Sequence, residues 1–410
     1  MTASDHTPIR LRLLSRALGS RNYRLFFEGQ LVSLIGTWMT RVATSWLVYR
    51  LTGSAFLLGL TSFAGQIPIF FLTPFAGVWV DRWDRHRALV VTQTLSMLQS
   101  FALAVLALRH VITVWEVIAL MLLQGVVNAF DMPSRQAFVV QMIERREDLG
   151  NAIALNSSMV NGTRLIGPAI AGLVIAAAGE GYCFLIDGIS YLAVIASLLA
   201  MHVAPIVHRR ARQRLTSELV EGWRYVKASA PIRSVLLLLA LVSLVGMPYT
   251  MLMPIFAKTI LHGGPHTLGF LMAAAGLGAL TGAIALAMRP SARGLGKVIV
   301  WSACLFGIGL AGLALSRVLW LSLAAVAVAG FGMMRQMASS NTIVQTIVAE
   351  DKRGRVMAYY AMAFQGLAPF GSLAAGAIAA RVGAPWTIIG GGALCIAGGV
   401  WFRLRLKLLA

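Results

Sequence analysis

Twelve stretches of mainly apolar sequence, each long enough to cross a lipid bilayer, constrain this chain more than any other feature. The hydrocarbon core of a bilayer is about 30 Å thick and requires roughly 20 residues of helix. Because lipid offers no hydrogen-bond partner to an open strand edge, each stretch is predicted to be helical. The stretches lie at about 24–48, 54–79, 88–109, 114–137, 152–178, 182–203, 234–257, 266–288, 297–315, 319–343, 355–380 and 384–402.

Composition argues against a soluble protein. Hydrophobic residues fill 58% of the 410 positions and charged residues only 12%, whereas a soluble domain is about 25% charged. The net charge of +20 raises the question of nucleic acid, but the basic residues form short clusters without the interleaved aromatics that stack on bases. We therefore predict an all-α integral membrane protein whose partner is the lipid bilayer, with no nucleic acid.

The distribution of basic residues predicts the orientation in the membrane. If both termini are cytoplasmic, most of the 35 Lys and Arg residues fall on the cytoplasmic side, as the positive-inside rule requires. The outer loops then hold only Arg50, Arg109, Lys258, Arg317 and Arg381. We expect a multi-pass protein of the plasma (inner) membrane with both termini in the cytoplasm.

One long polar segment, at about 204–233, separates an N-terminal part (1–203) from a C-terminal part (234–410). Within it, Leu215, Leu219 and Trp223 recur at helical spacing, opposite charged residues. That pattern predicts a linker helix lying on the inner membrane surface.

The two parts also repeat each other. A shift of 204 residues aligns five glycines of the first part with five of the second: Gly150, Gly162, Gly167, Gly172 and Gly179 with Gly354, Gly366, Gly371, Gly376 and Gly383. Parallel six-helix repeats are typical of one large class of transporters. We therefore predict two pseudo-symmetric six-helix halves.

The connection between the second and third stretches reads Gly77-Val-Trp-Val-Asp81-Arg82-Trp-Asp84-Arg85. It resembles the cytoplasmic loop signature of the major facilitator superfamily. The fifth stretch contains Gly167-Pro168, which resembles the Gly-Pro motif of antiporters in that superfamily, although the motif's doubled closing glycine is absent.

Other segments resemble the enterobactin-exporter-like subgroup, among them Asn22-Tyr23-Arg24, Asp131-Met-Pro133-Ser-Arg135 and Arg353-Gly354-Arg355. The resemblance implies the twelve-helix facilitator fold and proton-linked export of siderophores, drugs or other amphiphiles. The expected partners are a small-molecule substrate and protons, and the expected oligomeric state is a monomer.

Charges inside a bilayer are costly, so each one is a functional candidate. The acids within predicted helices are Glu28, Asp131 and Asp187, and the bases are Arg41, Arg164 and Arg335. Polar residues at helical spacing extend these positions into faces that would wall a hydrated cavity. The predicted substrate and proton pathway comprises Glu28, Thr37, Arg41, Asn128, Asp131, Asn161, Arg164, Asp187 and Arg335.

Asp131 has two interpretations. The repeat aligns it with Arg335, so that opposite charges occupy pseudo-equivalent positions, which suggests a charge relay that differs between inward-open and outward-open states. Alternatively, Asp131 pairs locally with Arg135, one helical turn away. Glu28 and Asp187, near helix ends, also have structural interpretations.

A second set of residues is predicted to control gating. It comprises Gly77, Asp81, Arg82, Arg85, Arg135, Gly167 and Pro168. By resemblance, Asp81 locks the cytoplasmic side by pairing with the start of the eleventh stretch and with a base such as Arg135. Small-residue stripes, Pro168-Gly172-Ala176 and Ser372-Gly376-Ala380, predict close helix contacts.

Other functions find less support in the sequence. An intramembrane enzyme would need paired nucleophile, acid or metal-binding residues, and no such set is present, so no catalytic residue, metal or cofactor is expected. A channel would need a filter segment, which is also missing. A lipid (lysophospholipid) flippase or an uptake transporter on the same fold remains open.

Overall fold

The computed structural model describes residues 16–80, 83–143, 145–201, 215–289, 291 and 294–405. Within these ranges, twelve helices are long and apolar enough to cross a membrane, and a shorter helix precedes the seventh of them. In chain order they are α1 Arg21–Thr52, α2 Ala55–Val80, α3 Arg85–Leu108, α4 Val114–Met142, α5 Leu149–Ala178, α6 Glu180–Leu199, α7 Leu215–Ala228, α8 Ala230–Ile260, α9 Pro265–Ala287, α10 Leu295–Leu315, α11 Leu319–Ile347, α12 Glu350–Val382 and α13 Ala384–Arg405.

Each of the twelve predicted stretches is confirmed as a helix, with ends that differ by a few residues. The largest difference at a single end is five residues: the fourth stretch was predicted to end at 137 and ends at Met142, and the eleventh was predicted to begin at 355 and begins at Glu350. Since successive spans alternate in direction, Arg16, Arg405 and α7 lie at the same end of the bundle. We call this end the linker end and the opposite one the distal end.

The helices form two six-helix halves, α1–α6 and α8–α13, that repeat the same packing. The α2–α4 contact in the first half corresponds to α9–α11 in the second, and α3–α6 corresponds to α10–α13. The short connections repeat as well, because Gly179 and Gly383 each join two helices with a φ near +90° (94° and 88°). Only glycine adopts this backbone conformation without strain, so this aligned pair of glycines has a structural cause.

The two halves meet through two symmetric crossings, α5 with α9 and α2 with α12. At the first, a Cβ added to Gly172 would lie 2.9 Å from the Pro265 carbonyl oxygen and 3.0 Å from the Gly269 Cα. At the second, a Cβ on Gly376 would lie 3.0 Å from the Gly59 Cα. Both crossings are in the distal part of the bundle, and they confirm the close contacts predicted from the small-residue stripes.

Two helices of the second half are interrupted by π-helical turns. In α8 the turns are Val242–Gly246 and Phe256–Ile260, and in α12 the turn is Met362–Gly366. Prolines two or three residues from these turns lack an N–H and disturb the regular hydrogen bonding. The hydroxyl of Ser243 donates to the carbonyl of Phe364, so one interrupted helix satisfies a backbone group of the other.

The helix α7 is attached to the beginning of α12 by ion pairs. Glu221 bonds Lys352, and Arg355 Nη1 lies 2.7 Å from Glu221 Oε2. The hydrogen bond from Lys352 is the main reason why the pKa of Glu221 is lowered from its ordinary value. At neutral pH, α7 is therefore held to α12 of the second half by charge.

The crossings predict how the fold responds to one added methyl group. Gly172→Ala is expected to destabilise the protein by about 1–3 kcal/mol, because its Cβ would press on the backbone of α9. Gly162→Ala, on the same helix, is the control, since nothing lies within 4 Å of its added Cβ. Thermal unfolding in detergent should show a lower Tm for Gly172→Ala alone. Equal Tm values would contradict the close crossing.

Candidate functional site

Asp187 lies on α6 where that helix meets α1 and α3. Its side chain is 2% exposed, and Oδ2 accepts hydrogen bonds from Thr40 Oγ1 at 2.8 Å and Ser100 Oγ at 2.9 Å. Gly36 makes room for this approach, because an added Cβ there would lie 2.7 Å from Asp187 Oδ1. Oδ1 itself is buried and has no hydrogen-bond partner among the described residues. Asp187 is thus a half-satisfied carboxylate inside the first half.

Arg41 follows Thr40 on α1 and points in another direction. The residues from Met39 to Thr44 are buried except for Arg41, which is exposed. The middle of a membrane helix does not present a bare guanidinium to lipid, so Arg41 faces a hydrated space within the protein.

Two arginines, from α1 and α5, lie over the ring of one tryptophan. The guanidinium carbon of Arg41 lies 4.7 Å from the Trp38 ring centroid, and that of Arg164, on α5, lies 5.9 Å from it. Gly167 allows this meeting of α1 and α5, because a Cβ there would be only 2.5 Å from the Trp38 Cβ. An aromatic face flanked by two cations can bind a ligand that combines an apolar body with a negative group.

Asp131, on α4, is also buried and is held by α3. Its Oδ1 accepts from Thr92 Oγ1 at 2.8 Å and from Gln93 Nε2 at 2.6 Å, and its Oδ2 pairs with Arg135. This is the local pairing that the sequence left as one of two interpretations.

The two buried carboxylates are joined by a polar stripe along α3 that the sequence analysis missed. It consists of Thr92, Gln93, Ser96, Gln99 and Ser100, all buried. Thr92 at one end of the stripe bonds Asp131 and Ser100 at the other end bonds Asp187. Thr92 and Ser100 are about 12 Å apart along α3, at a rise of 1.5 Å per residue. The spacing of the stripe residues at three and four positions was the available signal, but none of them is charged.

Asn128 belongs to the same region. Gln124 Nε2 donates to Ser96 Oγ at 3.0 Å and to Asn128 Oδ1 at 3.2 Å. The predicted polar face of α4 therefore turns toward α3, within the first half.

The remaining predicted pathway residues have other neighbours, although Thr37 also lies within hydrogen-bonding reach of Tyr191, on α6 near Asp187. Glu28 is exposed on the linker-end part of α1. Thr37 Oγ1 donates to the Ser33 carbonyl at 3.0 Å, and Asn161 Nδ2 donates to the Ser157 carbonyl at 2.8 Å, both within their own helices.

Arg335, on α11, stacks against Phe331 with its guanidinium carbon 5.2 Å from the ring centroid. It borders a pocket of the second half together with Arg289 and Lys297. In this conformation Asp131 and Arg335 have separate neighbours, and the relay between them stays a prediction.

The predicted gating residues are only partly described. Asp81 and Arg82 lie outside the described residues, and Gly77 lies within α2. Arg85 Nη1 donates to the Ala137 carbonyl at 3.3 Å. Arg135, predicted as a partner of Asp81, has Asp131 as its described ion-pair partner because the two are one turn apart on α4.

The other two predicted gating residues lie at helix contacts. Gly167 packs on Trp38, and the carbonyl of Pro168 lies 2.6 Å from the position of a Cβ on Gly269. Gly167 therefore lies at a contact within the first half, whereas Pro168 lies at the α5–α9 contact between the halves.

Comparison with known proteins gives a family match over nearly the whole chain. Residues 17–409 match the family model described as transmembrane secretion effector. The staphyloferrin A transporter of Staphylococcus aureus is 26% identical, covering 94% of this chain and 98% of that protein. The multidrug efflux pump Tap of Mycolicibacterium fortuitum is 28% identical, covering 85% and 87% respectively.

Among solved structures, a bacterial homologue of the human lysosomal transporter Spinster superposes with a TM-score of 0.71. The match has 13% sequence identity and covers 95% of this chain and 97% of that one. At this identity, the likeness shows the fold alone.

The Asp131–Arg135 pair predicts a specific order of stabilities. Arg135→Gln should destabilise the protein by about 3–5 kcal/mol, because it leaves the buried Asp131 charge without its cation. The double variant Asp131→Asn, Arg135→Gln should be closer to the wild type, since no uncompensated charge remains. Thermal unfolding of the purified proteins in detergent tests this order. A double variant whose loss of stability relative to the wild type equals the sum of the losses in Arg135→Gln and Asp131→Asn would contradict it.

Proposed function

Because this chain belongs to the transmembrane secretion effector family of the major facilitator superfamily, we propose that it exports a small amphiphilic molecule by alternating access. The family match supports export of small molecules. The siderophore and multidrug transporters among its relatives support a siderophore-like or drug-like cargo. Proton coupling and transport direction are part of the proposal.

The observation that carries the proposal is the exposed Arg41 beside Trp38 and Arg164, in the middle of a membrane bundle. This group offers an apolar surface and two positive charges to a ligand that enters the space between the halves. Such a site suits a molecule with a carboxylate or another negative group on an apolar frame.

Alternating access is supported by the contacts between the halves. Near the distal end, Tyr49 Oη and Thr259 Oγ1 share a hydrogen bond of 2.7 Å, and Lys258 Nζ lies 5.7 Å from the Tyr49 ring centroid. With the glycine crossings, these contacts favour a state closed at the distal end. If the termini are cytoplasmic, as the distribution of basic residues predicts, this state opens inward.

Proton coupling is proposed to run through Asp187 and Asp131. A coupling carboxylate must bind a proton in one state and release it in another. Asp187 has one oxygen held by two hydroxyls and another without a partner, and Thr40, which binds it, adjoins Arg41. Substrate bound at Arg41 can therefore alter the charge environment of Asp187 within one turn of α1.

Inside-out vesicles from cells that overproduce the protein test the transport proposal. A panel of a carboxylate siderophore, a macrolide and a lysophospholipid is offered with and without an imposed pH gradient. We expect the wild type to accumulate the siderophore or the macrolide only with the gradient. Accumulation of the lysophospholipid alone would favour the flippase instead, and transport indifferent to the gradient would reject proton coupling.

Asp187→Asn should abolish gradient-driven accumulation while retaining downhill exchange, because the neutral amide keeps the packing but binds no exchangeable proton. Glu147→Gln is the matched control, since Glu147 is an exposed surface acid with 82% of its side chain accessible. The measurement is initial uptake as a function of pH in the same vesicles. A normal pH profile in Asp187→Asn would remove Asp187 from the coupling pathway.

A disulfide between the halves should stop transport reversibly. Ser62 Oγ, on α2, lies 3.2 Å from Ser372 Oγ, on α12, so the pair Ser62→Cys, Ser372→Cys is expected to form a bond on oxidation. Mass spectrometry verifies the bond, and transport is measured before and after reduction.

The control is Ser316→Cys, Ser322→Cys, whose hydroxyls are 2.9 Å apart within the second half. That disulfide should leave transport unchanged. Unimpaired transport by the oxidised Ser62–Ser372 pair would show that this interface does not open during the cycle.

A further inference from the structure

The linker end of the second half contains a pocket of about 330 Å³ between α9, α10 and α11. Arg289 follows the end of α9, Lys297 lies in the first turn of α10, and Arg335 projects from α11. Trp301 and the buried Ser302, on α10, complete the wall. The pocket is separate from the Trp38–Arg41–Arg164 group, which belongs to the first half.

Three cations border this pocket, and the helices α9, α10 and α11 carry no carboxylate. Between Gly222 and Ala349 the chain contains neither Asp nor Glu. The Nε of Arg335 is buried and makes no hydrogen bond among the described residues. A buried guanidinium nitrogen without an acceptor is costly, so the site is suited to an external anion.

The beginning of α10 adds to the positive potential. Its N-cap, Gly294, has a left-handed backbone (φ 77°) and offers no side chain to the N–H groups of Leu295 and Gly296, while the Lys297 N–H donates to the Gly294 carbonyl at 3.0 Å. A Cβ at Gly294 would lie 3.9 Å from Arg289 Nη2, so the guanidinium lies close to the helix terminus. Helix N-termini bind phosphate through these N–H groups and the helix dipole.

The position of Trp301 indicates where the anion comes from. Its side chain is 69% exposed and lies two turns into α10 from the linker end, the depth at which tryptophans occupy the membrane–water interface. Basic pockets between transmembrane helices at this level bind anionic lipid headgroups. A free phosphate ion would use the cations but would gain nothing from the exposed indole.

We propose that this pocket binds a phosphate ester, supplied by the headgroup of an anionic phospholipid in the leaflet at the linker end. The phosphate lies between Arg289, Lys297 and Arg335 at the start of α10, and the acyl chains lie along Trp301. Because the ligand bridges α9, α10 and α11, its binding stabilises the packing of the second half. The proposal does not depend on what the protein transports.

Purified full-length protein in detergent is titrated with phosphatidylglycerol, phosphatidylcholine or inorganic phosphate. Native mass spectrometry and thermal unfolding report binding. Phosphatidylglycerol is expected to bind and to raise Tm more than phosphatidylcholine does, and millimolar inorganic phosphate is not expected to displace it. Equal effects of the two lipids would overturn the proposal. Displacement by inorganic phosphate, or binding of phosphate alone, would overturn the lipid source.

Variants distinguish lipid binding at this pocket from non-specific attraction of the lipid to positive surface charge. The single variant Lys297→Gln changes an exposed residue, and the double variant adds Arg335→Gln. Each charge removed should weaken phosphatidylglycerol binding about five-fold. Arg381→Gln, an exposed cation at the distal end of α12, is the control and should bind as the wild type does. Equal losses in Arg381→Gln and Lys297→Gln, or no loss in Lys297→Gln, would overturn the assignment.

Discussion

The hydrocarbon core of a bilayer provides no hydrogen-bond partners, and this constraint organises the whole chain. Every spanning segment is helical because only a helix satisfies its own backbone there. Polar side chains within the helices must likewise find partners inside the protein. Asp187 and Asp131 do so through hydroxyl and amide groups of α1 and α3. The polar stripe along α3 therefore connects helices of the first half and bonds both of its buried carboxylates.

The contact between the halves depends on close approach of helix backbones. Lipid is as apolar as leucine, so hydrophobic burial does not drive helices together, and close backbone approach has to replace it. Gly172 with Gly269 and Gly59 with Gly376 provide that approach twice, in equivalent places. Because no large side chains interdigitate at these glycine crossings, the helices can slide past each other or separate without repacking side chains. Such crossings suit an interface that must separate during a transport cycle.

The two halves share a plan but differ in chemistry. The first half contains the buried acids, and the second contains the π-helical turns of α8 and α12 and a cationic pocket. We connect the acids with coupling to protons, and the interrupted helices with deformation during the cycle. The division explains why residues aligned by the repeat, such as Asp131 and Arg335, have unlike surroundings.

Much of the fold follows from the sequence, whereas the candidate site follows from it only in part. Asp187, Arg41 and Arg164 were found because an intramembrane charge is conspicuous. The α3 stripe from Thr92 to Ser100 was not, because uncharged polar residues occur on many helix faces and only their burial against the two aspartates distinguishes them. The partner of Arg135 was left open, since spacing alone admits both Asp131 and a residue from another helix.

By itself, the sequence determined the number of spans, the division into two repeats and the glycines at which helices approach closely. These properties depend on hydropathy and on local backbone geometry, which act within a few turns of chain. Only the tertiary structure decided which polar groups are in contact. Examples are the two arginines that lie over Trp38 and the α3 side chains that bond both Asp131 and Asp187. Such contacts depend on the rotation and crossing of helices far apart in the chain, and no local pattern encodes that relation.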